Sequence, residues 1–592
     1  MTSQNPTRST STLADALGSY KGVLLFLFLI SGVINVLALT GSFYMLQIYD
    51  RALGSQSLET LVGLSVLAIG LYMFQGILDV VRSQILVRSG AAIDTRFAPL
   101  AHRVAMDMPR FGYSPAEAGE RGRDVDVLRQ FVSGQGPVAL LDLPWMPLYL
   151  AFVYLLHPML ALLVLGGVVV LGLLTLVTEL KTRRLAVNVH RTGLARTSLS
   201  DTHIRNVEVL RAMGFTGAAL ARFTDANREH LALQTRMSDV GGSLGGISKV
   251  LRMILQSAVL GAGAYLTIRG EMSAGAIIAA SVAAARALAP IDMAIGQWKG
   301  FVAARRSYKR LGDTIATIAD ATALVQLPVP ATSLKVERIT VAAPGTGTVV
   351  LNEVAFELAA GEAMGLIGPS GSGKSSFARA VTGIWPLVRG SVRLDGADIR
   401  QWDVDELGRH IGYLPQDVSL LDGSIAENIS RFAPDADGRD IIKAAQAAGV
   451  HELILRLPEG YETRLGHNGM ALSAGQRQRI ALARALYRQP FLVVLDEPNS
   501  NLDAEGEQAL TAAIRSLREG GSIVIVVAHR PSALAAVNKV GVMQQGKLAA
   551  FGDKDEILNQ QVKRPVQRAA AAAATSASPE TARDGKWIQG TN

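Results

Sequence analysis

The chain has 592 residues, 49% of them apolar and 18% charged, with a net charge of +8 and no cysteine. That length, with a mean hydropathy above zero, points to several domains, part of the chain lying in a membrane. The missing cysteine excludes disulfides, thiolate metal sites and a cysteine nucleophile. Lys and Arg gather in links beside apolar runs, with no aromatic-rich basic module, and this excludes nucleic acid as a partner.

Residues 1–20 are polar, rich in Ser and Thr, and read as a flexible tail. The apolar run behind them lacks a small-residue cleavage site, so it reads as a span rather than a removed signal. Six apolar stretches follow in order, at 23–49, 61–78, 138–156, 159–177, 251–268 and 274–295. Each suits the ~20 residues that a bilayer-crossing helix needs. The second reads as continuing in helix through Arg82, Arg88 and Arg96. The links alternate between short ones (His157-Pro158, Arg269-Gly270-Glu271) and two long Arg-rich segments. Positive residues stay cytoplasmic, which places both long segments and both chain ends inside. Asp142 and Pro144, at the start of the third stretch, read as a helix entry. Arg286 lies within the sixth stretch. A charge there is expensive, and it faces either a translocation path or an ion pair, interfacial or structural.

Residues 311–333 lose hydropathy and carry Pro328 and Pro330, which marks a linker after a 21–310 membrane domain. From 334 to 560 short apolar strands alternate with helical stretches, an α/β pattern. Residues 561–592 lack any packing pattern and read as a disordered tail.

Within the α/β part, Gly368, Pro369, Ser370, Gly371, Ser372, Gly373, Lys374 and Ser375 fit the phosphate-loop pattern. An apolar strand at 363–367 precedes them and a helix at 376–381, opening on Ser376, follows, which is the context the motif requires. The glycines let backbone amides turn toward phosphate oxygens, and the helix N-terminus favours an anion. Lys374 reaches the terminal phosphates of ATP, and the Ser375 hydroxyl ligates Mg²⁺. About 120 residues on, the apolar strand 491–495 ends in Asp496 and Glu497. Asp496 holds Mg²⁺, directly or through water, and Glu497 polarises the attacking water.

Between these motifs, Leu472-Ser473-Ala474-Gly475-Gln476-Arg477-Gln478-Arg479 resembles the signature of ATP-binding-cassette ATPases, with Ala474 where Gly is commoner. The resemblance implies that Ser473, Ala474, Gly475 and Gln476 face the phosphate loop of a second cassette, so that two ATP molecules lie between two copies. It implies that Gln416 senses metal and water and that Asp503, in Ser500-Asn501-Leu502-Asp503, belongs to the loop crossing the dimer. It implies that His529 contacts the γ-phosphate. Two places depart from the family. Residues 341–344 (Val-Ala-Ala-Pro) hold no aromatic to stack adenine, and the acidic residue usual in exporters near His467 is missing.

Six spans ahead of one cassette resemble a half-transporter of the type I ABC exporter fold. This gives a six-helix membrane domain followed by an α/β P-loop ATPase. The long segments then touch the cassettes near 111–123 and 215–223. The phrases at 45–51, 142–149, 287–290 and 496–503 look like the permease-ATPases of bacterial type I secretion, in the protease- and lipase-exporting branch. That resemblance implies a homodimer in the bacterial inner membrane with its cassettes in the cytoplasm. It also implies a periplasmic membrane-fusion adaptor, an outer-membrane channel and a secreted protein carrying an uncleaved C-terminal signal. Without cysteine, and with few residues before the first span, no leader-trimming peptidase is expected. An exporter of lipid, drug or glycan shares the architecture and is the alternative. Soluble cassette ATPases lack six spans, and a receptor that binds nucleotide without hydrolysis does not need Asp496, Glu497 and His529.

Overall fold

The computed structural model describes residues 21–319, 327–466, 472–528 and 534–559. The chain divides near residue 320 into two compact units, each described by itself.

The first unit has six helices long and apolar enough to cross a membrane: Lys21–Ser55, Leu58–Phe111, Gly136–Leu156, Pro158–Arg205, Thr216–Ile268 and Ala274–Asp313. Unbroken α-helix covers 50 residues in Leu58–Asp107 and 53 in Thr216–Ile268. At about 1.5 Å per residue these are more than twice the ~30 Å of a hydrocarbon core, so they run well beyond it. Local chemistry sets where helices start. Ser57 Oγ accepts from Thr60 N (3.2 Å), and His157 Nδ1 accepts from Met159 N (3.2 Å) with Pro158 at the first position. The Asp50 carboxylate accepts from Ser273 Oγ (2.6 Å) and Gly275 N (3.0 Å) at the opening of the sixth helix.

Small residues let the spans approach closely. Ala279, Ala280, Ala283, Ala284 and Ala287 of the sixth helix are buried in one cluster with Tyr149, Val153, Leu160, Val164 and Val259. Gly32 lies under the Trp145 ring, where a Cβ would stand 2.5 Å from Cζ2. Along the second span, by contrast, only 6% of the most apolar window is buried, as suits a helix facing lipid.

A polar cluster ties the first three spans together. Arg82 Nη1 donates to Asp142 Oδ1 (2.9 Å) and Ser31 Oγ (3.0 Å), and Nη2 donates to Asp79 (2.7 Å). Asn35 Nδ2 donates to Asp142 (3.0 Å), and the Tyr149 hydroxyl donates to Asn35 Oδ1 (2.8 Å). Asp142 is therefore an ion-pair partner, beyond the helix entry read from the sequence.

The sixth helix continues as Ala274–Ala319, past residue 311 where the linker was expected to open. Leu311 is buried with Ile93, Phe97, Ala101 and Val125, and Arg310 donates to Asp124. This packing keeps the helix going after its hydropathy has faded.

The second unit holds two main sheets. An antiparallel sheet runs in the order Val349–Ala359, Ser333–Ala342, Arg389–Leu394, Ala397–Asp398. The other has six strands, ordered Lys547–Asp553, Lys539–Gln544, Ala363–Ile367, Ile523–Val527, Leu492–Asp496, Ile411–Leu414. All pair in parallel except the edge strand Lys547–Asp553. The central three are almost wholly buried, which is why they read as unbroken apolar runs rather than alternating ones.

Candidate nucleotide-binding site

Parallel register gathers the site at one edge of the sheet. Val527 pairs with both Leu366 and Asp496, so strands Ala363–Ile367, Ile523–Val527 and Leu492–Asp496 end side by side. The crevice beyond the carboxyl ends of such strands is where ligands bind in open α/β sheets.

The loop 368–373 leaves the first of these strands and enters the helix Lys374–Val381. Gly373, at φ +98°, is the N-cap, and no side chain bonds the first-turn amides. Those amides remain available to an anion, and the helix dipole favours one. Gly371 sits at φ +78°. At Gly368 a Cβ would lie 2.3 Å from the Met543 carbonyl oxygen, so a side chain there is excluded sterically. Pro369 and Ser370 are exposed, and Ser376 is half-buried in the helix's first turn. Lys374 arches over the loop, Nζ donating to the carbonyls of Gly368 (2.9 Å) and Pro369 (3.0 Å). Burial pushes its ammonium below the ordinary value, against the pull of Glu497 and Asp496.

Ser375 Oγ donates to Asp496 Oδ1 (3.2 Å). Asp496 is 1% exposed, and its Oδ2 is buried with no hydrogen-bond partner. Burial raises its carboxyl above the ordinary value, opposed by the Ser375 hydroxyl, while the adjacent Glu497 charge raises it further. Among the described residues no three His, Asp or Glu side chains cluster tightly enough to hold a metal alone. One carboxylate beside one hydroxyl instead suits a hard cation that takes its other oxygens from phosphate and water. Glu497 is held at φ +51°, its amide donating to the Val527 carbonyl (3.1 Å). Gln416 lies two residues past the strand Ile411–Leu414, which pairs with Leu492–Asp496 and brings Leu414 opposite Leu495. His529 follows Ala528 but lies outside the described residues, as does the stretch around His467.

The signature residues open the helix Ala474–Leu486 with a reciprocal cap. Ser473 Oγ accepts from Gln476 N (3.2 Å), and Gln476 Oε1 accepts from Ser473 N (2.9 Å). No described hydrogen bond joins Ser473, Ala474, Gly475 or Gln476 to residues 368–376 of the same chain. A Cβ on Gly475 would meet the Asn501 carbonyl at 2.8 Å. At Ala474, by contrast, the first helical position already carries a methyl. Asp503 caps the helix Ala504–Glu519 through Gly506 N (2.9 Å) and pairs with Arg479.

Two further buried side chains stand at the site, and one of them, Gln478, escaped the reading of the sequence. Ser372 is 4% exposed with an unpartnered Oγ inside the phosphate loop. Gln478 is buried, donating to the Pro498 carbonyl (2.6 Å) and accepting from Asn501 N (3.0 Å). It fixes the loop after Glu497 to the signature helix. It stands inside the signature string, but a lone glutamine there carries no visible sign of its partners.

Two family descriptions match the chain: "ABC transporter" over residues 351–500 and "ABC transporter transmembrane region" over 22–289. The chain is 51% identical over 537 residues to the type I secretion system ATP-binding protein PrsD of Rhizobium meliloti, covering 91% of this chain and 92% of that one. It is 28% identical to the cyclolysin secretion/processing ATP-binding protein CyaB of Bordetella pertussis, covering 93% of this chain and 77% of that one. Among solved structures, a bacterial Atm1-family ABC exporter with ATP bound superposes with a TM-score of 0.78. It is 22% identical, covering 92% of this chain and 97% of that one, and it shows the same fold.

Proposed function

The chain belongs to the ABC transporter family, as a multi-pass ATPase coupled to transport, and on that premise we propose that it exports unfolded proteins from the bacterial cytoplasm. It is the energising subunit of a type I secretion system in the inner membrane. The observation that carries this is the joining, in one chain, of six spans to a site where Lys374, Ser375 and Asp496 meet at the ends of adjacent parallel strands. The kinship with secretion ATP-binding proteins supports protein as the cargo.

Two copies work together, because each cassette carries half of two sites. Residues 368–376 of one copy bind the phosphates of ATP. The helix start at Ser473, Ala474, Gly475 and Gln476 of the other closes over the γ-phosphate, with Asp503 at the crossing loop. Ser375, Asp496 and Gln416 would hold Mg²⁺, which supplies positive charge to the phosphate oxygens when bound. Lys374 neutralises the terminal phosphates, Glu497 takes a proton from the attacking water, and His529 steadies the γ-phosphate. Binding closes the pair of cassettes, kept in the cytoplasm, and hydrolysis releases it. On this reading the membrane domain ends before the link at 320–333 and the ATPase domain begins after it. A periplasmic membrane-fusion adaptor and an outer-membrane channel carry the cargo, marked by a C-terminal signal, to the exterior.

The test is deletion of the gene followed by a census of the medium. A defined set of secreted proteins should vanish and return on complementation. Loss of an exported glycan or lipid with the secreted proteins intact would replace this reading by the alternative.

A further inference from the structure

Arg286 is an exposed side chain on the sixth span. It lies twelve residues past Ala274, about 18 Å along the helix, near the middle of a hydrocarbon core about 30 Å thick. Among the described residues no hydrogen bond or ion pair reaches its guanidinium. At that depth a guanidinium has around it lipid, a polar group of its own or a neighbouring copy, or water, and within its own chain its charge reaches the Tyr149 hydroxyl. Lipid is ruled out by the cost of an unpaired charge in hydrocarbon.

Of the carboxylates bordering the apolar stretches, all but Glu59 are engaged within their own chain, Glu271 with Arg269 and His157. Asp79 and Asp142 hold Arg82, Asp292 holds Arg252, Glu179 accepts from Trp298, and Asp50 accepts from Ser273 and Gly275. Glu59 stands in the first turn of its helix, at the far boundary of the bilayer from the cytoplasmic extensions. A second copy repeats these engagements, so it offers Arg286 no spare carboxylate at mid-depth. Water remains.

We infer that Arg286 lines a hydrated path through the membrane and binds carboxylates of the chain being exported. The nature of that ligand rests on the protein-export reading above. A guanidinium presents a planar fork of donors that matches a carboxylate with two parallel bonds. Two copies present two such forks, so acidic segments are held on passage while Lys- and Arg-rich ones are disfavoured.

The lack of cysteine makes Arg286→Cys a single-thiol variant of the full chain in liposomes. A charged, membrane-impermeant methanethiosulfonate should label it. No labelling, with ATP or without it, overturns the hydrated placement. The second arm uses the unsubstituted protein and two unfolded peptides, one with spaced Asp residues and one with Asn at the same places. The Asp peptide should stimulate ATP hydrolysis half-maximally at about fivefold lower concentration, as a charge-assisted contact predicts. Relative to each variant's own basal rate, Arg286→Gln should erase that difference and Arg286→Lys restore part of it. Equal half-maximal concentrations overturn the carboxylate ligand and leave protein export standing. If neither peptide stimulates, the export reading falls and takes this ligand with it, while labelling still decides whether the path is hydrated.

Discussion

Two places in the molecule, one in each half, bury charge in opposite ways. In the cassette, Lys374 and Asp496 are 5% and 1% exposed, yet Asp496 Oδ2 and the nearby Ser372 Oγ are buried without a partner. In the membrane half, Arg82 and Asp142 are equally buried, and each makes several bonds to Ser31, Asn35, Asp79 or the other. A buried acceptor left unmade costs about 1–3 kcal/mol, so a fold that keeps one is shaped around something that completes it. A cluster already complete has no such need, and its work is fastening. The comparison teaches which buried charges belong to chemistry and which to architecture, and substitutions at the two places should fail differently.

The largest effect belongs to the cassette. Glu497→Gln keeps the shape of the side chain and removes the base. Hydrolysis should fall by about 10²–10⁴-fold, the usual worth of a positioned general base, while ATP stays bound. Phosphate release and retained nucleotide, measured on the same sample, check this. Rapid sustained turnover would return Glu497 to a structural role. The melting temperature without nucleotide should hardly move, since the residue is half-exposed at the strand's end.

The membrane cluster should show the reverse. Asp142→Leu leaves the Arg82 guanidinium with Asp79 as its one carboxylate and Ser31 as its one hydroxyl, and breaking a buried pair from one side costs about 3–5 kcal/mol. Changing both, to Arg82→Leu with Asp142→Leu, removes the stranded charge and should recover most of that loss. Unfolding in detergent is the measurement, and ATP binding by the cassette is the control. If single and double variants unfold alike, the pair does not fasten the spans.

The same contrast explains how much the sequence disclosed. The phosphate loop and the Asp496-Glu497 pair were legible because each is a short contiguous string, and register alone then brings the strings together. The six spans were legible because hydropathy marks them. The ends of the helices were not. Hydropathy falls away near residue 311, but Leu311 and Arg310 continue to pack and pair, and the helix runs to Ala319. Arg82 and Asp142 are 60 positions apart, and nothing local in either neighbourhood names the other. Gln478 escaped for the same reason, its partners Pro498 and Asn501 being on another loop.

The smallest effect tests whether a surface charge in the cassette can be told from the site's. Glu337 stands on the strand Ser333–Ala342 opposite Ser391. Its Oε2 accepts from Ser391 Oγ (2.7 Å) and Arg393 Nε (3.1 Å). Those bonds, Ser391 first and then Arg393, hold its carboxyl down from 4.5 to about 2. A depressed acid stabilises the folded chain above its unfolded value and loses that contribution as pH falls through its folded value. Glu337→Gln should therefore lower the melting temperature slightly at neutral pH. The gap to the unsubstituted protein should close as pH drops from 4.5 toward about 2. Because the group is exposed, solvent screens the interaction and the gap is small at any pH. ATP turnover at neutral pH should be unchanged, the opposite of the Glu497 result. A gap that persists undiminished at low pH would mean that the bonds to Ser391 and Arg393 do not depend on the charge, and that the strand pairing there is held by the backbone ladder alone.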